Sequence, residues 1–204
     1  MFDWTQYLRY AEVKCLEKDI ILFRQGETLN GFYYLLEGKV MISVLREDGY
    51  ERIIDFVFPG SLIGEQLING GTSFTTAMLM TDSKLYYFSK PQFELLIQNH
   101  PEASRHFGYS LIKKLRMLAN INTILNATVD VQLAHFLLKL YEKKGDNEID
   151  VTQTSLAKFL GKSRVAIWKV LKEWRNEGVI EIANQKFILK DIEVLREKAK
   201  EIAI

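Results

Sequence analysis

Thr152-Gln153-Thr154-Ser155-Leu156-Ala157-Lys158-Phe159-Leu160-Gly161-Lys162-Ser163-Arg164-Val165-Ala166-Ile167-Trp168-Lys169-Val170-Leu171-Lys172-Glu173-Trp174-Arg175-Asn176 is the stretch on which the reading of this chain turns. Leu156, Ala157 and Leu160 share one face of a first helix, and Ile167, Val170, Leu171 and Trp174 continue a matching face on a second. Gly161 between them tolerates the backbone of a sharp turn, and Ser163 has the side chain to cap the next helix. The small Ala157 lets two helices approach closely, four residues ahead of the turn glycine. This is the spacing of a DNA-binding helix-turn-helix, whose second helix lays its N-terminal end in the major groove. Any short αα-hairpin can contain Ala and Gly, so the spacing alone means little. Here apolar register, capping serine and charge coincide: six basic residues stand against two acidic ones from Thr152 to Glu177.

The residues after Glu177 extend the motif. Val179-Ile180-Glu181-Ile182, a polar Ala183-Asn184-Gln185-Lys186 turn and Phe187-Ile188-Leu189 predict a β-hairpin wing. Arg164, one turn into the second helix, can donate in bidentate fashion to guanine O6 and N7. Lys169 reaches a base or a phosphate. Thr152, Gln153, Lys162 and Ser163 suit phosphate oxygens, which position a protein without reading sequence. Trp168 fits either beside the DNA backbone or packed on the neighbouring helix, and packing is the reading adopted.

Upstream the hydrophobic period is different. From about Asp19 to Phe88, short β-rich runs at 20–23, 32–36, 40–45, 53–57, 74–80 and 85–88 are broken by Gly26, Gly31, Gly38, Asp48-Gly49, Pro59-Gly60 and Gly70-Gly71. Six or more short strands at such intervals predict an antiparallel sandwich or barrel. Pro91 and Pro101 each start a helix, where a missing N–H has no consequence. Glu102 to Asn126 predicts about 37 Å of helix. In it Leu111, Leu115, Leu118, Asn122 and Leu125 step by four and three, the seam of a two-stranded coiled coil, with Asn122 able to fix register. The same stripe could instead pack on the barrel. A hinge at Asn126–Thr128 comes next, with Thr128 as cap and Asp130 favourable in the first turn of a helix from Val129 to Lys144. Val131, Ala134, Leu138 and Tyr141 take helical spacing there. The chain therefore divides near residue 127, with 13 basic and 14 acidic side chains before it and 14 and 12 after it.

Composition excludes several classes. The 204 residues are 48% hydrophobic and 26% charged, enough for real cores, and a net charge of +1 rules out binding polyanions by bulk charge. The single Cys15 cannot make an internal disulfide or an iron–sulfur cluster site and fits a reducing cytoplasm. No stretch nears the ~20 apolar residues of a membrane span, and Met1-Phe2-Asp3-Trp4 does not begin a signal peptide. A cytoplasmic protein with no membrane partner is expected. A metal-dependent barrel enzyme is not expected, because His100, His106 and His135 all fall after the strands.

In this order (barrel, long helix, hinge, winged helix-turn-helix) the chain resembles the CRP/FNR family of bacterial transcription factors. Gln25-Gly26-Glu27, Phe32 to Val40, Gly60-Ser61-Leu62-Ile63-Gly64-Glu65 and Leu160-Gly161-Lys162-Ser163-Arg164 carry the resemblance. It implies an α+β chain with a jelly-roll, cyclic-nucleotide-binding-like barrel at 1–101, a dimerisation helix and hinge at 102–127, and a DNA-binding domain at 128–204. It also implies a homodimer on a near-palindromic duplex, with half-sites about 34 Å apart, and RNA polymerase as a partner. Nucleotide-binding members start their phosphate cassette with Gly-Glu, matched by Gly64-Glu65, and end it in Arg-Ser/Thr-Ala. Here Thr75 stands at the arginine position, and losing one charge-assisted pair of about 1.5–3 kcal/mol weakens binding roughly 10- to 100-fold. Cyclic AMP is therefore not the expected effector unless Arg46, Arg52 or a helix cation substitutes. The resemblance places a small-molecule pocket between Leu62 to Ala77 and the long helix, mainly apolar through Leu62, Met117, Leu118 and Ile121 beside Gly64, with Glu65, Thr75 and Thr76 as polar anchors. Neither haem nor an iron–sulfur cluster is expected. Cyclic-AMP-type members begin the recognition helix Arg-Glu; here Arg164-Val165 replaces a cytosine-reading acceptor with a side chain suited to a thymine methyl.

Overall fold

A computed structural model describes residues 3–47, 49–124, 127–183 and 186–200, with the side chains of 120–124 outside the description. The described residues form two compact units, Met1–Arg116 and Met117–Ile204. Asn122, Leu125 and Asn126 lie outside the described side chains. None of the described helices is long and apolar enough to cross a membrane.

Eight strands build the first unit: β1 (Glu12–Leu16), β2 (Ile21–Phe23), β3 (Gly31–Glu37), β4 (Val40–Leu45), β5 (Glu51–Val57), β6 (Ser61–Ile63), β7 (Thr76–Leu79) and β8 (Ser83–Ser89). They pair antiparallel into two four-stranded sheets, in the orders β1-β8-β3-β6 and β2-β7-β4-β5. Between the sheets lies a core of Phe23, Leu35, Val40, Val57, Ile63, Leu67, Ala77, Leu79 and Leu85. The opposite face of the first sheet is covered as well. Phe32, Tyr34, Leu62 and Phe88 point away from that core and join Trp4, Tyr7, Phe93, Leu96 and Ala103. Both faces of β3 are thus buried, which explains why 32–36 reads as an unbroken apolar run and not as an alternation. Trp4 sits edge-on to Phe32 and Phe88 at 5.7 and 5.6 Å, and those two rings stack at 5.1 Å. Such pairings add to area burial. At the β3–β4 turn a side chain on Gly38 (φ +105°) would run into Ser83, so glycine is required there.

Helix α1 (Lys90–Asn99) starts with a full capping box: Ser89 accepts from the Gln92 N–H, and the Gln92 side chain bonds back to the Ser89 N–H. Helix α2 (Glu102–Ile124) begins one residue after Pro101 and runs 23 residues, about 34 Å. The boundary between the units falls inside it.

The second unit is organised on α3 (Val129–Lys144), whose Val131, Leu133, Ala134, Phe136, Leu137, Leu138 and Leu140 are buried. Thr128 occupies the expected cap position with extended backbone, but its side chain makes no capping bond. Gln132 Nε2 donates to the Ala127 carbonyl at 2.6 Å, just ahead of the helix. The rest comprises β9 (Glu148–Ile149), α4 (Gln153–Leu160), α5 (Arg164–Asn176), β10 (Ile180–Ala183), β11 (Lys186–Leu189) and α6 (Ile192–Ala199). The expected hairpin is β10–β11, and β9 adds a third antiparallel strand.

Candidate functional site

The α4–α5 pair is fixed at each end by its own sequence. Thr152 Oγ1 accepts from the Ser155 N–H at 3.1 Å, and Ser163 Oγ accepts from the Ala166 N–H at 3.2 Å, so both helices are capped. Gly161 ends α4 at φ +64°, and the Gly161 and Lys162 N–H groups both donate to the Ala157 carbonyl. Leu156, Ala157 and Leu160 of α4 and Ile167, Leu171 and Trp174 of α5 are buried. With this stripe buried, the opposite face of α5 is left to solvent.

That face carries the side chains expected to read DNA. Arg164, Val165 and Lys169 are exposed, as are Thr152 and Ser163, while Gln153 and Lys162 are half-buried. Trp168 departs from expectation: it is 42% exposed and stands on the outward face instead of packing on a neighbouring helix. The helical turn explains this, because at 100° per residue Trp168 falls near Arg164 and well off the Ile167–Leu171–Trp174 stripe. Plotting the helix by angle would have found it. None of Arg164, Lys169 and Lys172 has an acidic partner among the described residues, whereas Lys186, Lys190, Arg196 and Lys198 elsewhere in this unit pair with Glu148, Glu181, Glu193 and Glu177. Exposed cations without acidic partners among the described residues, with two capped helix N-termini, make a surface suited to a polyanion.

The second candidate region lies in the first unit. Gly64 takes φ +84°, with the Phe23 ring 3.1 Å from where a side chain would start, so this turn admits glycine and little else. The turn delivers Glu65 into the interior, where it is 2% exposed. Both its carboxylate oxygens are engaged by α2: Ser110 Oγ donates to Oε1 at 2.6 Å, and Lys114 Nζ pairs with Oε2. Lys114 also donates to the Leu62 carbonyl at 3.1 Å. Ser110 and Lys114, one helical turn apart on α2, were not singled out from the sequence, where nothing ties them to Glu65, 45 and 49 residues away.

The other pocket candidates make contacts of their own. The Leu62 side chain belongs to the aromatic cluster under the helices, and it is the Leu62 carbonyl that meets Lys114. Thr75 is buried, its N–H and carbonyl both bonded to Ser73 Oγ. Thr76 Oγ1 accepts from the Gln25 N–H at 3.0 Å. Met117 is half-buried and Leu118 exposed, both in the second unit, and the Ile121 side chain lies outside the described residues.

Comparison with known proteins divides the chain along the same lines. Residues 13–100 match the cyclic nucleotide-binding domain family, and residues 131–198 match the Crp-like helix-turn-helix domain family. A CRP-like cAMP-activated global transcriptional regulator of Mycobacterium tuberculosis is 25% identical over 188 residues, covering 88% of this chain and 84% of the relative. The cyclic AMP receptor protein of Thermus thermophilus is 25% identical over 195 residues, covering 94% and 90%. Among solved structures, FixK2 from Bradyrhizobium japonicum superimposes with a TM-score of 0.81 at 18% identity over 92% of this chain and 96% of that one.

Proposed function

Because the chain belongs to the CRP/FNR family of DNA-binding transcription regulators, with an effector-binding domain ahead of its helix-turn-helix, we propose that it works as a homodimer on a near-palindromic operator. In this reading residues 1–101 sense, 102–127 pair and hinge, and 128–204 bind DNA. The carrying observation is the outward face of α5, where Arg164, Val165, Trp168 and Lys169 stand exposed and the two cations have no acidic partner among the described residues. Pairing through α2 is supported by Leu111, Leu115 and Leu118, which keep the four-and-three stepping of a coiled-coil seam and are all exposed. Thr152, Gln153, Lys162 and Ser163 hold phosphates; Arg164 and Val165 read bases, with Lys169 at a base or phosphate. RNA polymerase is the further partner, and the cytoplasm, where the duplex is, the place of action.

The effector we propose is a small organic molecule other than cyclic AMP. A cyclic phosphate needs a cation, and Thr75 supplies none. The nearby helix cation, Lys114, already neutralises Glu65, the carboxylate that a ribose hydroxyl would need. That same pair favours a second reading, a constitutive DNA binder whose barrel is a dimer scaffold or protein platform, since Glu65 is satisfied without a ligand. The test is operator affinity of the full chain, alone and with cyclic AMP or with phenols and small organic acids found by thermal shift. The first reading expects no response to cyclic AMP and a response to one of the others. A tenfold or greater gain with cyclic AMP would overturn it; indifference to every compound would leave the constitutive reading.

A further inference from the structure

Val165 is 79% exposed, more than any other large apolar side chain among the described residues, and Trp168 is 42% exposed. They are three residues apart on α5 and so share one strip of its surface, about 4.5 Å apart along the axis. Arg164 and Lys169 flank them, and none of Arg164, Lys169 and Lys172 is paired with an acid among the described residues. An apolar pair set among unpaired cations does not suit an apolar protein partner, but it suits a polyanion that presents apolar groups at its centre. Duplex DNA does so in one place, the major groove, where the thymine C5-methyl projects between the charged backbones.

We infer that Val165 and Trp168 together read thymine methyl groups on neighbouring base pairs of each half-site. The inference rests on the DNA-binding reading of α5 and deepens it. The spacing agrees: about 4.5 Å between the side chains on the helix compares with about 3.4 Å between successive bases of a strand. Neither side chain can hydrogen-bond to a base edge through an acceptor, since valine has no polar atom and the indole N–H only donates. Recognition at Val165 therefore depends on shape and desolvation, with the apolar ring of Trp168 extending the same surface and Arg164 supplying the polar contact beside it.

The test begins with a duplex selected by the full chain from a random pool of unmethylated synthetic DNA. Each half-site thymine is then replaced by deoxyuracil, which keeps every hydrogen-bonding edge and removes only the methyl. The expected result is a loss of about fourfold in affinity per methyl removed, the effect of leaving one methyl-sized group unburied. The V165A/W168A variant should bind the thymine and uracil duplexes alike. Both side chains are exposed, so this variant should keep the wild-type circular dichroism and melting transition. Equal binding of the two duplexes by the wild type, or undiminished methyl sensitivity in the variant, would overturn methyl reading and leave DNA binding intact. Enrichment of no sequence at all would overturn both.

Discussion

Replacing Lys114 by methionine keeps the length of the side chain and removes its charge. Glu65 would then be a carboxylate with its side chain 1% exposed, holding only the Ser110 hydroxyl at 2.6 Å. Removing one partner of a buried ion pair typically costs about 3–5 kcal/mol. The Lys114 side chain is 36% exposed, so water already screens that end of the pair. This screening reduces the cost, and we expect about 2–3 kcal/mol lost from the first unit. Adding Glu65→Gln removes the stranded charge and should restore stability to within about 1 kcal/mol of wild type, a coupling that a double-mutant cycle reads directly. Urea unfolding followed by circular dichroism gives the magnitude, and amide exchange along β3 and β6 assigns it to this unit. A K114M variant within about 0.5 kcal/mol of wild type, or a double variant no better than K114M, would refute the claim that this pair ties the cassette turn to α2.

Three further outcomes rest on particular residues. Arg164→Ala should cost about 1–3 kcal/mol at one base pair per half-site and relax the preference there; an unchanged base profile in a binding-site selection would dismiss that role. Leu115→Glu places a charge in the exposed seam of α2 and should halve the mass seen by analytical ultracentrifugation, whereas an unchanged dimer would remove α2 as the pairing element. Burial, with Tyr87 and Glu12 nearby, holds the Tyr33 phenol up to about 12. Its neutral form favours the fold, so this stabilisation is complete below pH 10 and lost as the pH rises towards 12; Tyr33→Phe should flatten that alkaline limb of a stability–pH curve.

How far the residues alone can be read depends on the distance over which they act. Gly161, Ser163, Thr152 and the Leu156-to-Trp174 register act within one or two turns of helix, and α4, the turn and α5 form as their order requires. Thr128 meets the same local rule for a cap and takes the extended backbone of one, yet its side chain makes no capping bond, and nothing in the structure explains why. Strands β1 and β6 escape a reading of the sequence for different reasons. The first is an edge strand, Glu12 to Leu16, with much of its surface in water; the second is three residues long between two turns. Neither carries the apolar run that marks β3.

The order of elements, the two capped helices and the face of α5 that meets solvent were inherent in the chain's local pattern, since helical and strand periodicity place side chains without reference to remote residues. The meeting of Glu65 with Ser110 and Lys114, some 45 to 49 residues away, was decided by tertiary packing alone. So was the burial of Leu62 in one cluster with Trp4. Charge pairing and core packing are set by which surfaces the fold brings together, and no spacing along the chain encodes that.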